Sequence, residues 1–255
     1  MRIAVSILAA LGLALAIGAG ATVTLGMSRD AAPLRRLANT QSYPLHTDIT
    51  ATVFWIGEPV GNGSTENNAI SAYDDRWLDH FGGLDPFSPE RRAPWFPPFK
   101  PLENPFYLDL PYDDFLNSGN PRPGRMQVVP WASQAAAAVA AAAHAGRPYS
   151  LMKNRWVEII HIRNGQRRAC YGQVEDAGPY VYDDAAYVFG RNDQRPRNTL
   201  ATDAGMDVSP ALRDCLGFDG LNNDENKVDW RFVDAAQVPS GPWRRVVTTR
   251  QVFWP

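Results

Sequence analysis

From Arg155 to Arg163 the chain reads Arg-Trp-Val-Glu-Ile-Ile-His-Ile-Arg, an alternating apolar and polar pattern that predicts a strand. Asn164-Gly165 follows as a hairpin turn, and residues 168–175 return as the partner strand. The same logic predicts strands over 48–57, 104–111, 228–233 and 243–249, each dense in β-branched or aromatic residues. Helix signals are fewer. Residues 133–146 are nearly all alanine and close on glycine, which predicts a short surface helix. Ser209-Pro210 reads as an N-cap followed by proline at the first helical position, with Gly217 as the stop. Residues 74–84 predict one helical turn ended by glycine. Ten of the 21 prolines lie between Pro86 and Pro123, so most of that block is neither helix nor central strand. Six strands with one or two short helices and long insertions predict an all-β barrel.

The first 27 residues differ in kind. Met1-Arg2 precedes an uncharged apolar run rich in Ala, Leu and Gly, which predicts export. Gly18-Ala19-Gly20-Ala21 offers small residues for cleavage, yet the run is also long enough to remain as a membrane anchor. Residues 28–46 read as a polar tether, and 47–255 as one domain carrying a Pro-rich insertion (86–125) and the Ala-rich helix (133–146). The expected location is therefore extracytoplasmic, with membrane contact only through the N-terminal segment.

A formal net charge of −2 without a basic stripe argues against a nucleic-acid partner. The four histidines, His46, His80, His144 and His161, and the two cysteines lack metal-ligand spacing, so neither metal nor cofactor is expected. In an oxidising compartment Cys170 and Cys215 are able to form a disulfide; as buried free thiols they would also be ordinary. Asp183-Asp184 and the run 222–226 lack the glycine and spacing of a calcium loop. Ser209 has no nucleophile elbow around it.

Two aspartates stand at backbone breaks: Asp176 before Ala177-Gly178-Pro179-Tyr180, and Asp207 before Val208-Ser209-Pro210. Carboxyls held half-buried at such places have their pKa moved, as glycosidic acid chemistry requires. Each also has a plain structural reading, Asp207 as a charge at a helix start and Asp176 as a turn-former.

The segment Val174-Glu175-Asp176-Ala177-Gly178-Pro179-Tyr180, with Gly205-Met206-Asp207-Val208-Ser209-Pro210-Ala211-Leu212 and Leu216-Gly217, resembles the double-psi β-barrel family. That family includes rare lipoprotein A, the bacterial expansin-like proteins and, more remotely, family 45 endoglucanases and membrane-bound lytic transglycosylase A. The resemblance covers about 45 residues, and Thr50 to Gly57 looks like the family's first strand. It implies a six-stranded double-psi barrel acting on or binding a polysaccharide such as peptidoglycan or a cellulose-like glycan. Asp207 and Asp176 would be the catalytic carboxylates, Thr52 (or Thr50) a hydrogen-bonding partner across the groove, and Tyr180 a sugar contact. Which aspartate is the acid stays open. The contrasting expectation is a non-catalytic envelope interaction domain whose contact surface is the 86–125 insertion.

Overall fold

The computed structural model describes residues 42–61, 67–87, 91–116 and 119–254. The expected export segment and residues 28–41 of the expected tether lie outside them. The described end of that tether is bound to the barrel: Tyr43 is buried edge-on against Trp131 and Phe232, and its hydroxyl donates to Asp234 at 3.1 Å.

Six strands, β1 (His46–Val53), β2 (Tyr107–Leu110), β3 (Trp156–Arg163), β4 (Gln166–Ala177), β5 (Met206–Val208) and β6 (Lys227–Val233), close into a barrel in the order β1-β5-β2-β4-β3-β6. The pairs β1–β5 and β2–β4 are parallel and the other four antiparallel, so the barrel is mixed. Closure leaves no free sheet edge, which lets strands as short as β5 persist. Alternate residues, including Ile49, Ala51, Val53, Leu108, Leu110, Val174, Met206, Val208, Val228 and Trp230, join one buried cluster. Phe54, Ile56, Trp77, Phe81 and Tyr107 form a second.

The sixth strand is not the one the sequence predicts. Residues 243–249 begin in a 3₁₀ turn (Pro242–Arg244) and continue without strand assignment. Pro239, Gly241 and Pro242 break the chain just upstream, and side chains then satisfy its backbone. Gln173 accepts from the Thr248 N–H at 3.0 Å and donates to the Thr248 carbonyl at 3.0 Å, while Thr248 Oγ1 accepts from the Asn104 N–H at 2.9 Å. The missing place is filled by β5, three residues that include Asp207 and that the sequence reading treats only as the approach to a helix.

Helices are also more numerous than the one or two expected. The described residues contain five short ones: α1 (Trp77–Phe81), α2 (Arg125–Val128), α3 (Ala132–His144), α4 (Ala185–Val188) and α5 (Pro210–Leu216). Helices α2 and α4 span four residues each, too few for a periodic signal. Helix α3 is the alanine helix and buries only Ala132 and Ala135, so its propensity carries it. Helix α5 forms as its caps predict: Ser209 Oγ accepts from the Leu212 N–H at 3.2 Å, and Gly217 closes it with φ 72°.

Cys170 on β4 and Cys215 on α5 are joined in a disulfide that ties the helix to the barrel. It closes a loop of 45 residues, which corresponds to about 4 kcal/mol in the chain-entropy model. A Cys170→Ala/Cys215→Ala double variant is expected to lose roughly that much in urea unfolding. A loss below about 1 kcal/mol would show that α5 docks without the crosslink.

The Pro-rich insertion is anchored through a buried hub. Asp114 accepts from Arg125 Nη1 at 2.7 Å, Ser150 Oγ at 2.6 Å and the Leu151 N–H at 2.8 Å. Pairing and hydrogen bonding are what make a buried carboxylate tolerable.

Candidate functional site: a row of carboxyls across four strands

Register places the site. Thr52 on β1 is the Cα partner of Asp207 on β5, Asp207 is the partner of Asp109 on β2, and Asp109 is the partner of Asp176 on β4. One hydroxyl and three carboxyls thus form a lateral row over four neighbouring strands. At strand spacings near 4.8 Å the row is about 14 Å long, and the backbones of Asp207 and Asp176 stand about 10 Å apart. A bulge between Leu108 and Asp109 brings Asp176 into line with Asp109, with Glu175 as the extra residue of β4.

The four members are held differently. Thr52 Oγ1 donates to Asp207 Oδ1, whereas Thr50 Oγ1 accepts from Lys227 Nζ at 2.6 Å, so Thr52 is the threonine that meets the aspartate. Asp109 Oδ1 accepts from the Asp207 backbone N–H at 2.8 Å. A Cβ on Gly178 would lie 2.6 Å from Asp109 Oδ2, so only glycine lets the turn approach that carboxyl. Asp176 Oδ1 accepts from the backbone N–H groups of Ala72 at 2.7 Å and Ala177 at 2.8 Å. Asp176 thus acts as the turn-former read from the sequence, binding the backbone of Ala72 and Ala177 while standing in the row.

Tyr180 follows the turn in the left-handed region, at φ 53°. It lines an open cleft of about 840 Å³ together with Leu116, Arg122, Val181, Tyr182, Asp183 and Arg197. No aspartate of the row lines that cleft, so the structure does not bring the predicted sugar contact and the predicted carboxyls together there.

Burial pushes the Asp207 carboxyl up to about 6, against a hydrogen bond from Thr52 that pulls it down. Glu58, in the loop after β1, is buried and is pushed up to about 7. Desolvation is the main cause there; hydrogen bonds from Trp55 and Asn68 oppose it and the Asp207 carboxylate adds to it. Asp109 and Glu58 are absent from the sequence reading. A lone acid inside the apolar run Phe106-Tyr107-Leu108-Asp109-Leu110 was a usable signal for the first. Nothing local marks Glu58, which lies in a Gly-rich loop.

A second buried group lies behind the row. Lys153 Nζ donates to Glu175 Oε2 at 2.6 Å, and both side chains are enclosed. Glu175 is pushed up to about 7 by burial, and Glu103, also raised by burial, adds to that shift. Lys153 thus acts on both carboxyls, bonded to Glu175 and at longer range on Glu103, which also meets Arg250 Nε at 3.4 Å.

These shifts fix the sign of the pH dependence. Glu58, Asp113 and Glu175 are raised to about 7 and Asp207 to about 6, all mainly by burial. A raised carboxyl binds more protons in the native state between its unfolded and folded pKa values, so stability is lost as pH rises through that window. Buried His46, lowered to about 4, acts oppositely between about pH 6.5 and 4. Four groups outweigh one, so urea unfolding is expected to show greater stability near pH 5.5 than at pH 8, by roughly a few kcal/mol. Equal or greater stability at pH 8 would contradict this assignment.

Among the described residues no group of three or more His, Cys, Asp or Glu is arranged to hold a metal ion, and no helix is long and apolar enough to cross a membrane. Comparison with family models, with curated proteins and with solved structures finds no match in any of the three.

Proposed function

We propose that this chain is an exported, double-psi-type barrel protein that binds and modifies a cell-wall polysaccharide at the carboxyl row. The observation that carries the reading is the register Thr52–Asp207–Asp109–Asp176, which aligns one threonine and three acids across four strands. A buried carboxyl stays protonated closer to neutral pH than an exposed one. A protonated carboxyl at that pH is the reagent that glycosidic cleavage needs, because the leaving oxygen must receive a proton. Burial raises Asp207 to about 6 and Glu58 to about 7, while the hydrogen bond from Thr52 favours the ionised form of Asp207, so this end of the row offers both an acid and a base. The two parallel and four antiparallel pairings, and the helix that follows the Asp207 strand, support the double-psi assignment.

The direct experiment incubates the mature domain with purified peptidoglycan and with cellulose, measuring pelleting and soluble products. Products from either glycan are expected, and anhydro-sugar ends would mark the lytic transglycosylase course. No pelleting and no products on both would overturn the reading.

A second reading, a non-catalytic envelope contact module, draws on Leu84 and Leu102, which are 48% and 66% exposed. Both lie close to glycines of the 57–83 segment, Leu84 beside Gly57 and Leu102 beside Gly82. Glycan pelleting without products, unaffected by substitution of Asp207, would favour it.

A further inference from the structure

The loop after β1 carries Glu58 within electrostatic reach of Asp207, at one end of the row. The N–H of Phe54 donates to the Val208 carbonyl at 3.2 Å, so the chain leaves β1 still running beside β5, next to Asp207. It then turns sharply. The Ile56 N–H donates to Tyr107 Oη at 2.9 Å, and the Glu58 N–H to the Trp55 carbonyl at 2.9 Å. Gly57 takes φ 84°, and a Cβ there would lie 2.6 Å from Leu84 Cδ1, so the turn requires glycine. The returning chain is clamped to Asn68 by Gly57 N–H to Asn68 O at 2.9 Å and Asn68 N–H to Glu58 O at 3.3 Å. Asn68 Nδ2 donates to Glu58 Oε2 at 3.2 Å. Glu58 is 4% exposed, a degree of burial at which an acidic side chain is costly to keep charged.

We propose that Glu58 is the proton donor of this site and works with Asp207 as a carboxyl pair, an inference that rests on the glycan reading above and specifies its chemistry. The groups on Glu58 are a neutral amide from Asn68, the Trp55 backbone and, as the charged one, Asp207 from β5. Such an arrangement keeps Glu58 protonated while its partner ionises, the separation of roles that glycosidic acid–base catalysis uses. In hydrolysis Glu58 gives its proton to the glycosidic oxygen as the C1–O bond breaks, its electron pair leaving with that oxygen. Water adds to C1, and Asp207 takes the proton that the water sheds. One water is consumed, and the proton on Asp207 returns to Glu58 through solvent.

The test uses the mature chain, Glu58→Gln, Glu58→Asp and Asp207→Asn. Carboxyl titration by carbon-13 NMR is expected to place the Glu58 midpoint near 7 and to show it falling in Asp207→Asn. Product release by the wild type is expected to fall as pH rises through about 7. Glu58→Gln is expected to pellet with glycan as the wild type does and to release products at least ~10²-fold more slowly. Glu58→Asp keeps a proton with shorter reach; it is expected to retain the alkaline decline at a reduced rate, and it decides the matter if the glutamine variant fails to fold. Products released equally by wild type and Glu58→Gln, with the same pH limb, overturn the donor role alone. A Glu58 midpoint unmoved by Asp207→Asn overturns the pairing. A wild type that pellets with glycan but releases nothing overturns the donor role, and one that neither pellets nor releases products overturns the glycan reading with it.

Discussion

Asp207→Asn is expected to reduce product release from glycan by at least ~10²-fold and, at pH 8, to leave the protein more stable than the wild type. The two effects have one origin. Asp207 alternates along β5 with the core residues Met206 and Val208 and is itself half-buried, and burial raises its carboxyl to about 6. Above that pH the native state carries a charge it is poorly able to solvate, while the unfolded chain ionises freely. Asparagine keeps the shape and still accepts from Thr52, but it neither ionises nor donates an acidic proton. The full shift corresponds to about 3 kcal/mol; because the residue retains some exposure, a gain of roughly 1–2 kcal/mol in urea unfolding at pH 8 is the expected size. The gain should shrink toward zero by pH 4. Activity lost with stability gained marks a functional site held against the preference of the fold. An Asp207→Asn variant less stable at every pH would identify the carboxylate as a structural brace of β5 and the start of α5.

Lys153→Met should be the most destabilising single change. Lys153 is enclosed, and it is bound to Glu175 at 2.6 Å with Glu103 also acting on it. Removing the cation leaves Glu175 buried without its partner and Glu103 with only Arg250, a change of the kind that costs about 3–5 kcal/mol. The penalty should depend on pH with a definite sign. Glu103 and Glu175 are already raised by burial, and without lysine both rise further. At pH 5 they fold as neutral acids and the penalty is small; at pH 8 they must be either ionised in the core or protonated at a cost. Urea midpoints for wild type and variant at the two pH values check this. A penalty independent of pH would mean that lost packing of the lysine stem, rather than uncompensated charge, is responsible. Because Glu175 is the bulge residue next to Asp176, the variant also tests whether this ion cluster holds the β4 end of the row in register.

Local chemistry carried the parts of this protein that depend on a few consecutive residues. The hairpin of β3 and β4 follows from alternation and Asn164-Gly165, and α5 from Ser209, Pro210 and Gly217, because each is stabilised within its own segment. Asp207 and Asp176 were legible as carboxyls at backbone breaks. The all-β barrel class was legible too, since six strand-like runs have few other ways to bury their faces. Other features needed the closed barrel. Residues 243–249 have strand composition but no free edge to join, and Gln173 and Asn104 bind them instead. Met206–Val208 is too short to announce itself and is a strand only because β1 and β2 flank it. The row itself is a matter of register: Thr52, Asp109, Asp176 and Asp207 come from four distant segments, and no spacing in the chain encodes their alignment. The same holds for the burial that moves Glu58 and Asp207. Sequence determined which acids were available and which local turns would hold them; the tertiary structure decided which of them meet, because strand pairing and desolvation are properties of neighbours that the chain brings from far apart.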